Sequence, residues 1–409
     1  MKCRLCGNDI EDIVLDLVNA PPSNAYLRKE QLNNPETYYP LKIMVCKHCW
    51  LVQMDEYASS ADIFDDDYLY FSSYSTSWVN HARKYVDMIT YRLSLSKKSH
   101  VMEIASNDGY LLQFFVKKSI PCIGVEPSTS TISAAKEKGV DSIPEFFGTV
   151  LANKIVTERE KQDLIIGNNV LAHVPNINDF VEGLKIALNT YGTITMEFPH
   201  LLNLLRLNQF DTIYHEHYSY LSLSSVKKMF ASHDLMIYDV EELPTHGGSL
   251  RIYACHKNAG FNISKSVSDV LTKEQDAEMN TLNAYIYFQD RVEKIRADFL
   301  SFLLSAQNEG KIVAGYGAAA KGNTLLNYCG VKGEGLIKAV ADASPHKQGR
   351  YLPGSHIPVV SPEKINELKP DYLIIFPWNL KEEIMQQNAF IRTWGGKFVT
   401  VIPEMKISD

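Results

Sequence analysis

The order of apolar and polar positions along the chain predicts an α/β protein. Between about residues 76 and 265, a stretch with helical spacing at 77–95 is followed by short apolar runs that alternate with further helical segments. Such alternation is typical of a parallel sheet wound with helices. The last two runs are close together and predict an antiparallel hairpin at an edge of the sheet. The runs cover residues 100–104, 122–125, 163–166, 192–197, 236–240 and 249–256.

The regions on either side have different patterns of apolar and charged residues. Short β-like runs such as 41–45 mark the first 75 residues. Residues 264–309 are charged and almost free of Gly and Pro, which predicts a helix or a helical hairpin. Further apolar runs predict a second, smaller α/β unit, at 311–315, 336–341, 371–376 and 397–402. We therefore expect three domains, at 1–75, 76–265 and 266–409, the last including the helical linker.

Composition and charge narrow the classes of function. Of the 409 residues, 45% are hydrophobic and 22% are charged, as in ordinary globular proteins. The formal net charge of −7 lacks the basic footprint of a nucleic-acid-binding protein, so we expect no nucleic-acid partner. The N-terminus has no apolar leader and no run reaches the length of a membrane span, so we expect a cytoplasmic protein without a membrane partner. We expect a monomer.

Two Cys-x-x-Cys pairs, Cys3 with Cys6 and Cys46 with Cys49, have the spacing of metal ligands. Four thiolates form a closed tetrahedral zinc site without an open position, so the predicted zinc is structural. His48 is an alternative ligand, and four unrelated buried cysteines are another reading. A nucleic-acid-reading finger is disfavoured because the flanking residues are not basic.

Residues 101–112 predict a strand, a tight turn of small residues and a helix whose first amides are unpaired. Glu126 ends the next strand, where a carboxylate can accept both ribose hydroxyls of an adenosine. The acidic turn, with Glu103 and Asp108, suits a cationic sulfonium better than a pyrophosphate, and the G-x-G-x-x-G spacing of NAD sites is missing. We therefore predict S-adenosylmethionine as the cofactor, held by Glu103, Ala105, Ser106, Asn107, Gly109, Glu126, Pro127, Asn168 and Asn169.

The densest titratable cluster of the chain lies at residues 214–220. A histidine beside a carboxylate can take a proton near neutral pH, and tyrosine hydroxyls and His173 could donate to a developing enolate oxygen. Structural roles for these histidines, and turn formation for Asn168 and Asn169, are the alternative interpretations.

A second strand–glycine turn–helix pattern covers residues 312–324. Small residues and one lysine at a helix start predict a phosphate cradle, to which Lys321, Lys347 and Arg350 could contribute positive charge. Asp342 ends the next strand, and Trp378 and Asn379 follow the strand at 371–376, where they could contact a base or a sugar. The alternative is a Rossmann-like unit with a packing role only.

Together these segments resemble the sugar C-methyltransferase family of deoxysugar biosynthesis. The matching pieces occur in the same order along nearly the whole chain, at 46–53, 103–112, 124–127, 214–220, 245–251 and 315–323. The resemblance implies an N-terminal zinc-binding domain, a central class I (Rossmann-like) S-adenosylmethionine-dependent methyltransferase domain, and a smaller Rossmann-like C-terminal domain that helps hold a nucleoside-diphosphate sugar. One departure is Ala105, where methyltransferase turns usually have glycine.

The resemblance also implies roles for individual residues. The 4-keto group of the sugar acidifies the C3 proton, which His217 removes, with Glu216 as its partner or as a contact to substrate. Tyr214 and His173 stabilise the enolate, and a tyrosine of the 68–74 segment, Tyr74, helps to close the site. The substrate-binding residues implied are His246, Arg251, Lys321, Asn323, Asp342, Lys347, Arg350, Trp378 and Asn379.

Three rival functions remain open at the level of sequence. O- or N-methylation of a sugar needs a base but no 4-keto group. A nicotinamide-dependent oxidoreductase could use the turn at 315–322. A zinc-bearing scaffold protein would have no catalytic activity.

Overall fold

The computed structural model describes residues 1–57, 71–333 and 335–409. Its first part is an antiparallel sheet built from β1 (Asp12–Ala20), β2 (Tyr39–Val45) and β3 (Val52–Met54). Alternate residues of β2 are buried, as expected for a strand with one face on the core. Both cysteine pairs lie outside these strands, with Cys46 and Cys49 in the turn that joins β2 to β3.

The central part contains a seven-stranded sheet with the order β10-β11-β8-β7-β4-β5-β6. The strands β4, β5, β7 and β8 are parallel and nearly all buried, because helices cover both faces of such a sheet. The antiparallel hairpin predicted at one edge is confirmed, as β10 and β11. The seven strands of this sheet are β4 (Val101–Ile104), β5 (Cys122–Val125), β6 (Ser142–Ile143), β7 (Gln162–Asn168), β8 (Leu188–Pro199), β10 (Leu235–Leu243) and β11 (Ser249–His256). The short strand β9 (Ser219–Tyr220) lies in the same segment of the chain but outside this sheet.

Helices connect these strands and cover the sheet. The first begins after Ser75, whose hydroxyl accepts from the amide of Trp78 and so caps the helix. The helices are α1 (Thr76–Arg92), α2 (Leu112–Lys117), α3 (Thr129–Glu137), α4 (Thr149–Glu158), α5 (Ile177–Ala187), α6 (Leu201–Arg206) and α7 (Leu223–Ala231).

The predicted helical linker consists of two helices, α8 (Lys265–Asp276) and α9 (Phe288–Asn308). The α8 helix is attached to the central part. Ser266 donates to Asp239 of β10, and Glu274 accepts from two amides at the start of α7. Buried residues of α9 recur every three or four positions, which gives it one apolar face.

The C-terminal part is a six-stranded sheet with the order β14-β13-β12-β15-β16-β17, parallel except for the last pair. The four predicted runs supply β12, β13, β15 and β16; the sequence reading missed β14 and β17, which are two and three residues long. The strands are β12 (Val313–Tyr316), β13 (Val340–Ala341), β14 (Val359–Val360), β15 (Tyr372–Ile375), β16 (Lys397–Thr400) and β17 (Lys406–Ser408), and the helices are α10 (Ala320–Cys329), α11 (Lys364–Leu368) and α12 (Lys381–Gln387).

The three parts share structure beyond their sequence segments. The short strand β9 comes from the central segment but pairs with β3, so the predicted boundary at residue 75 does not bound the N-terminal sheet. One apolar core runs from the N-terminal sheet through α9 into the C-terminal unit and includes Leu41, Phe288 and Leu326. In the described part of the chain, no helix combines the length and the apolar character needed to cross a membrane.

Candidate active site

The four predicted ligand cysteines come together at the edge of the N-terminal sheet. All four sulfur atoms lie within 4.8 Å of one another, with 3.5 Å between Cys3 and Cys49 and between Cys6 and Cys46. Zinc–sulfur bonds of about 2.3 Å in a tetrahedron place the sulfurs roughly 3.8 Å apart, so the cluster fits zinc. His48 is not part of this group of ligand atoms.

Amide groups surround the cysteine cluster and tie it to the central part. The Gln53 side chain donates to Cys3 Sγ (3.1 Å), and Asn8 donates to Cys6 Sγ (3.2 Å). Such donors orient thiolate ligands. Arg4, which lies between Cys3 and Cys6, donates to the carbonyl oxygen of Pro175 (2.8 Å). This bond fixes the cysteine cluster against the loop before α5.

The turn between β4 and α2 has the tight backbone expected of a cofactor turn. Ala105, Asn107 and Gly109 all have positive φ (56°, 47° and 71°), so the chain reverses within five residues. Positive φ is favourable for glycine and unfavourable for alanine. The expected departure at Ala105 is therefore a strained position, although its small side chain leaves the turn open.

Ala105→Gly is expected to raise the free energy of unfolding by about 0.5–1 kcal/mol, because glycine adopts φ = 56° without steric cost and loses part of that gain in chain entropy. Chemical denaturation measures the change. Ala152→Gly, inside α4, is the matched control and should lower the free energy by at least about 1 kcal/mol. Destabilisation of equal size in both variants would contradict the strain at Ala105.

Two buried carboxylates flank this turn. Glu126 accepts from the amides of Asn107 (2.9 Å) and Ser128 (3.0 Å), and burial raises its pKa despite these bonds. Glu103 is fully buried beside the Tyr110 hydroxyl, and burial raises its pKa well above the usual range. A cationic ligand next to a buried carboxyl group stabilises its ionised form, which burial alone disfavours. The acidic turn thus fits the sulfonium and ammonium of S-adenosylmethionine.

The end of β7 completes this side of the site. Asn168 donates to the Tyr110 hydroxyl (3.3 Å), and Asn169, with φ of 53°, has its amide nitrogen 3.1 Å from His246 Nε2. Pro127 directly follows Glu126 at the end of β5, which is separated from β7 by β4. Carboxyl ends of parallel strands meet at one edge of a sheet, so the predicted cofactor residues are brought together there.

His217 lies in the loop before β9 and is half-buried. Its Nδ1 is 2.9 Å from the carbonyl oxygen of Thr212, which can only accept, so Nδ1 carries the proton. Burial, followed by the neighbouring His173, lowers the pKa of His217 well below that of an ordinary histidine. The imidazole is therefore neutral at neutral pH, and its Nε2 lone pair is available as a base.

Rings surround this imidazole. The Tyr214 ring centroid is 4.1 Å from that of His217, and the His173 ring lies 4.6 Å away in an edge-on arrangement. Burial lowers the pKa of His173 to about 4, so it too is neutral and can act only as a neutral donor or acceptor. The structure brings together three of the five predicted catalytic residues: His217, His173 and Tyr214.

Glu216 does not pair with the His217 ring, which corrects one of the two roles considered for it. Its carboxylate points toward the N-terminal part and accepts from Ser23 Oγ (2.9 and 3.1 Å) and Asn24 Nδ2 (3.0 Å). Neighbouring residues of a turn point in different directions, so the side chains of 216 and 217 diverge. Glu216 thus fixes the loop that carries His217.

Tyr74 lies at the outside of the site, with 54% of its surface exposed. Its hydroxyl is 3.0 Å from His346 Nε2 in the C-terminal unit. The amide of neighbouring Ser72 donates to the Asn107 side chain (2.9 Å), so this segment joins the cofactor turn to the C-terminal unit. The rest of the predicted 68–74 segment, up to residue 70, lies outside the described residues.

The predicted substrate residues separate into two groups. His246, Lys321, Trp378 and Asn379 lie together: the Lys321 ammonium is 2.7 Å from Asn379 Oδ1 and 4.2 Å from the Trp378 ring centroid. Burial, and then the charge of Lys321, lowers the pKa of His246 to about 4. This group reaches the predicted cofactor residue Asn169, just after β7, through the contact between His246 and Asn169.

The other predicted substrate residues hold the protein together. Asp342 accepts from the amide of Ala318 (2.8 Å), and Lys347 donates to the carbonyl oxygen of Ala318 (2.7 Å). Arg350 lies in the following turn, and Asn323 donates to the carbonyl oxygen of Ser23 (2.6 Å). Lys347 is thus bound to the turn peptide, and the pyrophosphate cradle made jointly by Lys321, Lys347 and Arg350 stays a prediction.

Arg251 pairs with two carboxylates inside the central part. It donates to Glu197 (2.7 Å) on the neighbouring strand and to Glu241 (3.0 Å). His81 is also 2.9 Å from Glu197, and its ring stacks on Trp78, whose ring in turn lies 5.1 Å from that of His246. Arg251 thus supports the wall of the site from behind.

Sequence reasoning missed several residues of this site. Asp211, Trp78, His81 and the pair Ser23 and Asn24 lie on segments that carried no recognised motif. The buried acid Asp211 accepts from Trp378 Nε1 (2.7 Å). The sequence could have pointed to Asp211 only through its position six residues before His217.

Comparison with known proteins gives the family. A family model described as a C-methyltransferase C-terminal domain matches residues 244–403, a methyltransferase domain matches 78–240, and a zinc binding domain matches 3–64. C-methyltransferase NovU of Streptomyces niveus is 34% identical over 406 residues, which are 99% of this chain and 96% of NovU.

The chain belongs to this C-methyltransferase family. The family predicted from the sequence motifs is thereby confirmed, and with it the enzyme class, the α/β fold and the zinc-binding N-terminal part. This C-methyltransferase carries its cofactor turn in the segment that the methyltransferase-domain model matches.

Solved methyltransferases align with less than half of this C-methyltransferase. An S-adenosylmethionine-dependent methyltransferase of Anabaena variabilis has 16% identity and a TM-score of 0.34, covering 42% of this chain and 82% of its own. Magnesium protoporphyrin IX methyltransferase of Synechocystis with bound S-adenosylhomocysteine has 14% identity and a TM-score of 0.34, covering 44% and 84%. The family assignment rests on NovU and the family models.

Proposed function

We propose that this enzyme transfers a methyl group from S-adenosylmethionine to C3 of a nucleoside-diphosphate-linked 4-keto-deoxysugar through an enolate. The observation that carries the proposal is the hydrogen bond between His217 Nδ1 and the Thr212 carbonyl oxygen. Because the carbonyl oxygen can only accept, Nδ1 keeps the proton and Nε2 is the basic nitrogen. A neutral base is what deprotonation of a carbon next to a ketone needs.

The base step follows from this arrangement. Nε2 of His217 takes the C3 proton, the C3–H electron pair forms a C3–C4 double bond, and the carbonyl pair moves to the C4 oxygen. The Thr212 carbonyl oxygen then faces a protonated Nδ1–H of an imidazolium, which it stabilises by the same hydrogen bond. Tyr214 and His173, in ring contact with His217, stabilise the enolate.

The cofactor residues orient the two reactants. When bound, S-adenosylmethionine would supply an electrophilic methyl group to C3 of the enolate, and S-adenosylhomocysteine would leave with the electron pair of the broken C–S bond. Glu126 would hold the ribose hydroxyls and Glu103 would face the positive charge, while the open turn at Ala105 would admit the adenosyl group. Asn168 and Asn169 line the side toward His246. Positioning of this kind supplies much of the rate acceleration.

The Cys3–Cys6–Cys46–Cys49 cluster has a structural part in this proposal. Its four sulfurs all lie within 4.8 Å of one another, and the His217 loop reaches the same N-terminal sheet through β9 and through the bonds from Ser23 and Asn24 to Glu216. Zinc at this position would hold the sheet that positions the base and would take no part in the chemistry.

A panel of nucleotide sugars tests the proposal. Purified enzyme with S-adenosylmethionine is given thymidine- and uridine-diphosphate 4-keto-6-deoxyhexoses and their 4-hydroxy counterparts. We expect methylated product from a keto sugar only, with proton and carbon NMR placing the methyl on C3. Methylation of the 4-hydroxy sugars on oxygen would refute the enolate. A methyl on C5, the other carbon beside the ketone, would keep the base but move the site of attack.

A further inference from the structure

Lys321 lies in the first turn of α10, and its charge is, after burial, one of the causes that lower the pKa of His217. Three residues further along the same helix face, Thr324 donates to the carbonyl oxygen of Ile213 (2.9 Å). The next residue back in the chain is Thr212, whose carbonyl oxygen accepts from His217. The helix face that carries Lys321 is thus attached directly to the loop that orients the base.

Two contacts hold the Lys321 ammonium in place. It donates to Asn379 Oδ1 (2.7 Å) and lies 4.2 Å from the Trp378 ring centroid. The Trp378 indole nitrogen donates to Asp211 (2.7 Å), and its ring rests on Gly247, where an added Cβ would come within 2.3 Å of the ring. Because Gly247 follows His246, the cation stands between the loops that carry His217 and His246.

We propose that the Lys321 ammonium contacts the C4 oxygen of the keto sugar and stabilises the enolate, with Asp211 as the positioning residue that holds Trp378 and keeps the ammonium charged. This inference rests on the proposed function. It gives Lys321 a role different from neutralising a pyrophosphate together with Lys347 and Arg350, because the Lys347 ammonium is bound to the carbonyl oxygen of Ala318 whereas that of Lys321 is bound to Asn379.

The charges of the site explain why a cation is needed there. Burial lowers the pKa of His173 and of His246 to about 4, and that of His217 well below the ordinary value. All three rings are therefore neutral when the reaction starts. When His217 takes the C3 proton, a negative charge appears on the C4 oxygen, and a cation in a water-poor site stabilises it more than a neutral donor does.

Asp211 opposes the cost of burying this cation. Burial lowers the pKa of Lys321 to about 8, and the Asp211 charge acts in the opposite direction. Asp211 is only 2% exposed; burial raises its own pKa to about 6, and Lys321 counteracts that rise. At neutral pH the acid is mainly ionised and the ammonium mainly protonated, so the pair is charged in the state that meets the substrate.

Exchange of the C3 proton with solvent isolates the step in question. The enzyme is incubated with S-adenosylhomocysteine and a thymidine-diphosphate 4-keto-6-deoxyhexose in D2O, and NMR follows loss of the C3 proton at saturating sugar. Lys321→Met keeps the length of the side chain and removes its charge. We expect the exchange rate to fall about 10²–10³-fold while the Kd of the sugar changes less than about 3-fold.

Two further variants serve as references. Lys321→Arg keeps a charge and should retain more exchange than Lys321→Met. Lys338→Met removes an exposed lysine of the same unit and should behave as wild type. Normal exchange at saturation in Lys321→Met, whether or not the Kd rises, would overturn the proposal; a raised Kd alone would return Lys321 to phosphate binding. If the wild type itself exchanges no proton beside the ketone, the proposed function fails first.

The pH profile of the exchange rate tests Asp211. The titratable groups facing Lys321 are Asp211, His217 and His246. Asp211→Asn still accepts from Trp378 but no longer favours the protonated ammonium, so the alkaline limb near pH 8 should move to lower pH. Lys321→Arg should lose this limb, because a guanidinium stays charged. An unmoved limb in Asp211→Asn would reject the role of Asp211.

Discussion

His217→Asn is expected to lower kcat by about 10²–10⁴-fold, because the variant has no basic nitrogen for the C3 proton. Asparagine can still donate to the Thr212 carbonyl oxygen, so the loop should keep its conformation. The affinity for S-adenosylhomocysteine should stay near that of the wild type, since the cofactor turn lies on other elements. Steady-state kinetics on the accepted keto sugar and calorimetric titration of the cofactor product measure the two effects.

A matched control separates this role from general damage. His100 directly precedes β4, at the amino ends of the parallel strands and so on the side of the central sheet away from the site. His100→Asn should leave kcat within about 2-fold of wild type. The acid limb of kcat/KM in the wild type should lie below pH 6.5, since the free-enzyme pKa of His217 is lowered by burial and the ring is protonated only at lower pH. Near-normal turnover of His217→Asn would remove this residue from the mechanism.

Replacing Cys46 and Cys49 together by serine is expected to release the metal and to unfold the N-terminal part. Structural zinc contributes folding free energy on the order of 10 kcal/mol in small domains, and here four ligands share one ion. Because β9 pairs with β3 and Ser23 holds Glu216, the loss should also disorder the His217 loop and reduce turnover. Metal analysis by mass spectrometry, thermal melting and kinetics measure these three effects.

The matched control uses a cysteine outside the cluster. Cys122→Ser changes a half-buried thiol at the start of β5 and should keep the zinc content. A double serine variant with unchanged melting temperature and full zinc content would show that the cluster holds no structural metal.

The sequence alone was enough for those features that depend on near neighbours. The apolar runs with helices between them gave the positions of the longer strands of both parallel sheets, since strands buried on two faces must be apolar throughout. The two-residue parallel strands β6 and β14 were missed, because so short a stretch carries no pattern. The matching Cys-x-x-Cys spacings gave the four sulfurs, because two intervening residues let both thiolates reach one ion. The acidic turn at Glu103 and the carboxylate of Glu126 were likewise readable from strand–turn–helix order.

Side-chain partners across long sequence separations were decided only by the tertiary structure. Glu216 adjoins His217 in sequence, yet its carboxylate accepts bonds from Ser23 and Asn24, nearly two hundred positions away. Lys321 and Lys347 appear equivalent in a list of charges, yet one reaches Asn379 and Trp378 while the other is bound to the Ala318 peptide.

The physical reason is that hydrophobic period and motif spacing act over a few residues, whereas a hydrogen bond depends on where distant backbones finally lie. Buried polar groups must have hydrogen-bond partners, but the order of residues in the sequence does not show which distant groups become those partners. The packing of α10 against the loop at 212–217 selects one arrangement. That contact, which no local pattern encodes, places Lys321 and Asp211 beside the base that the sequence had already indicated.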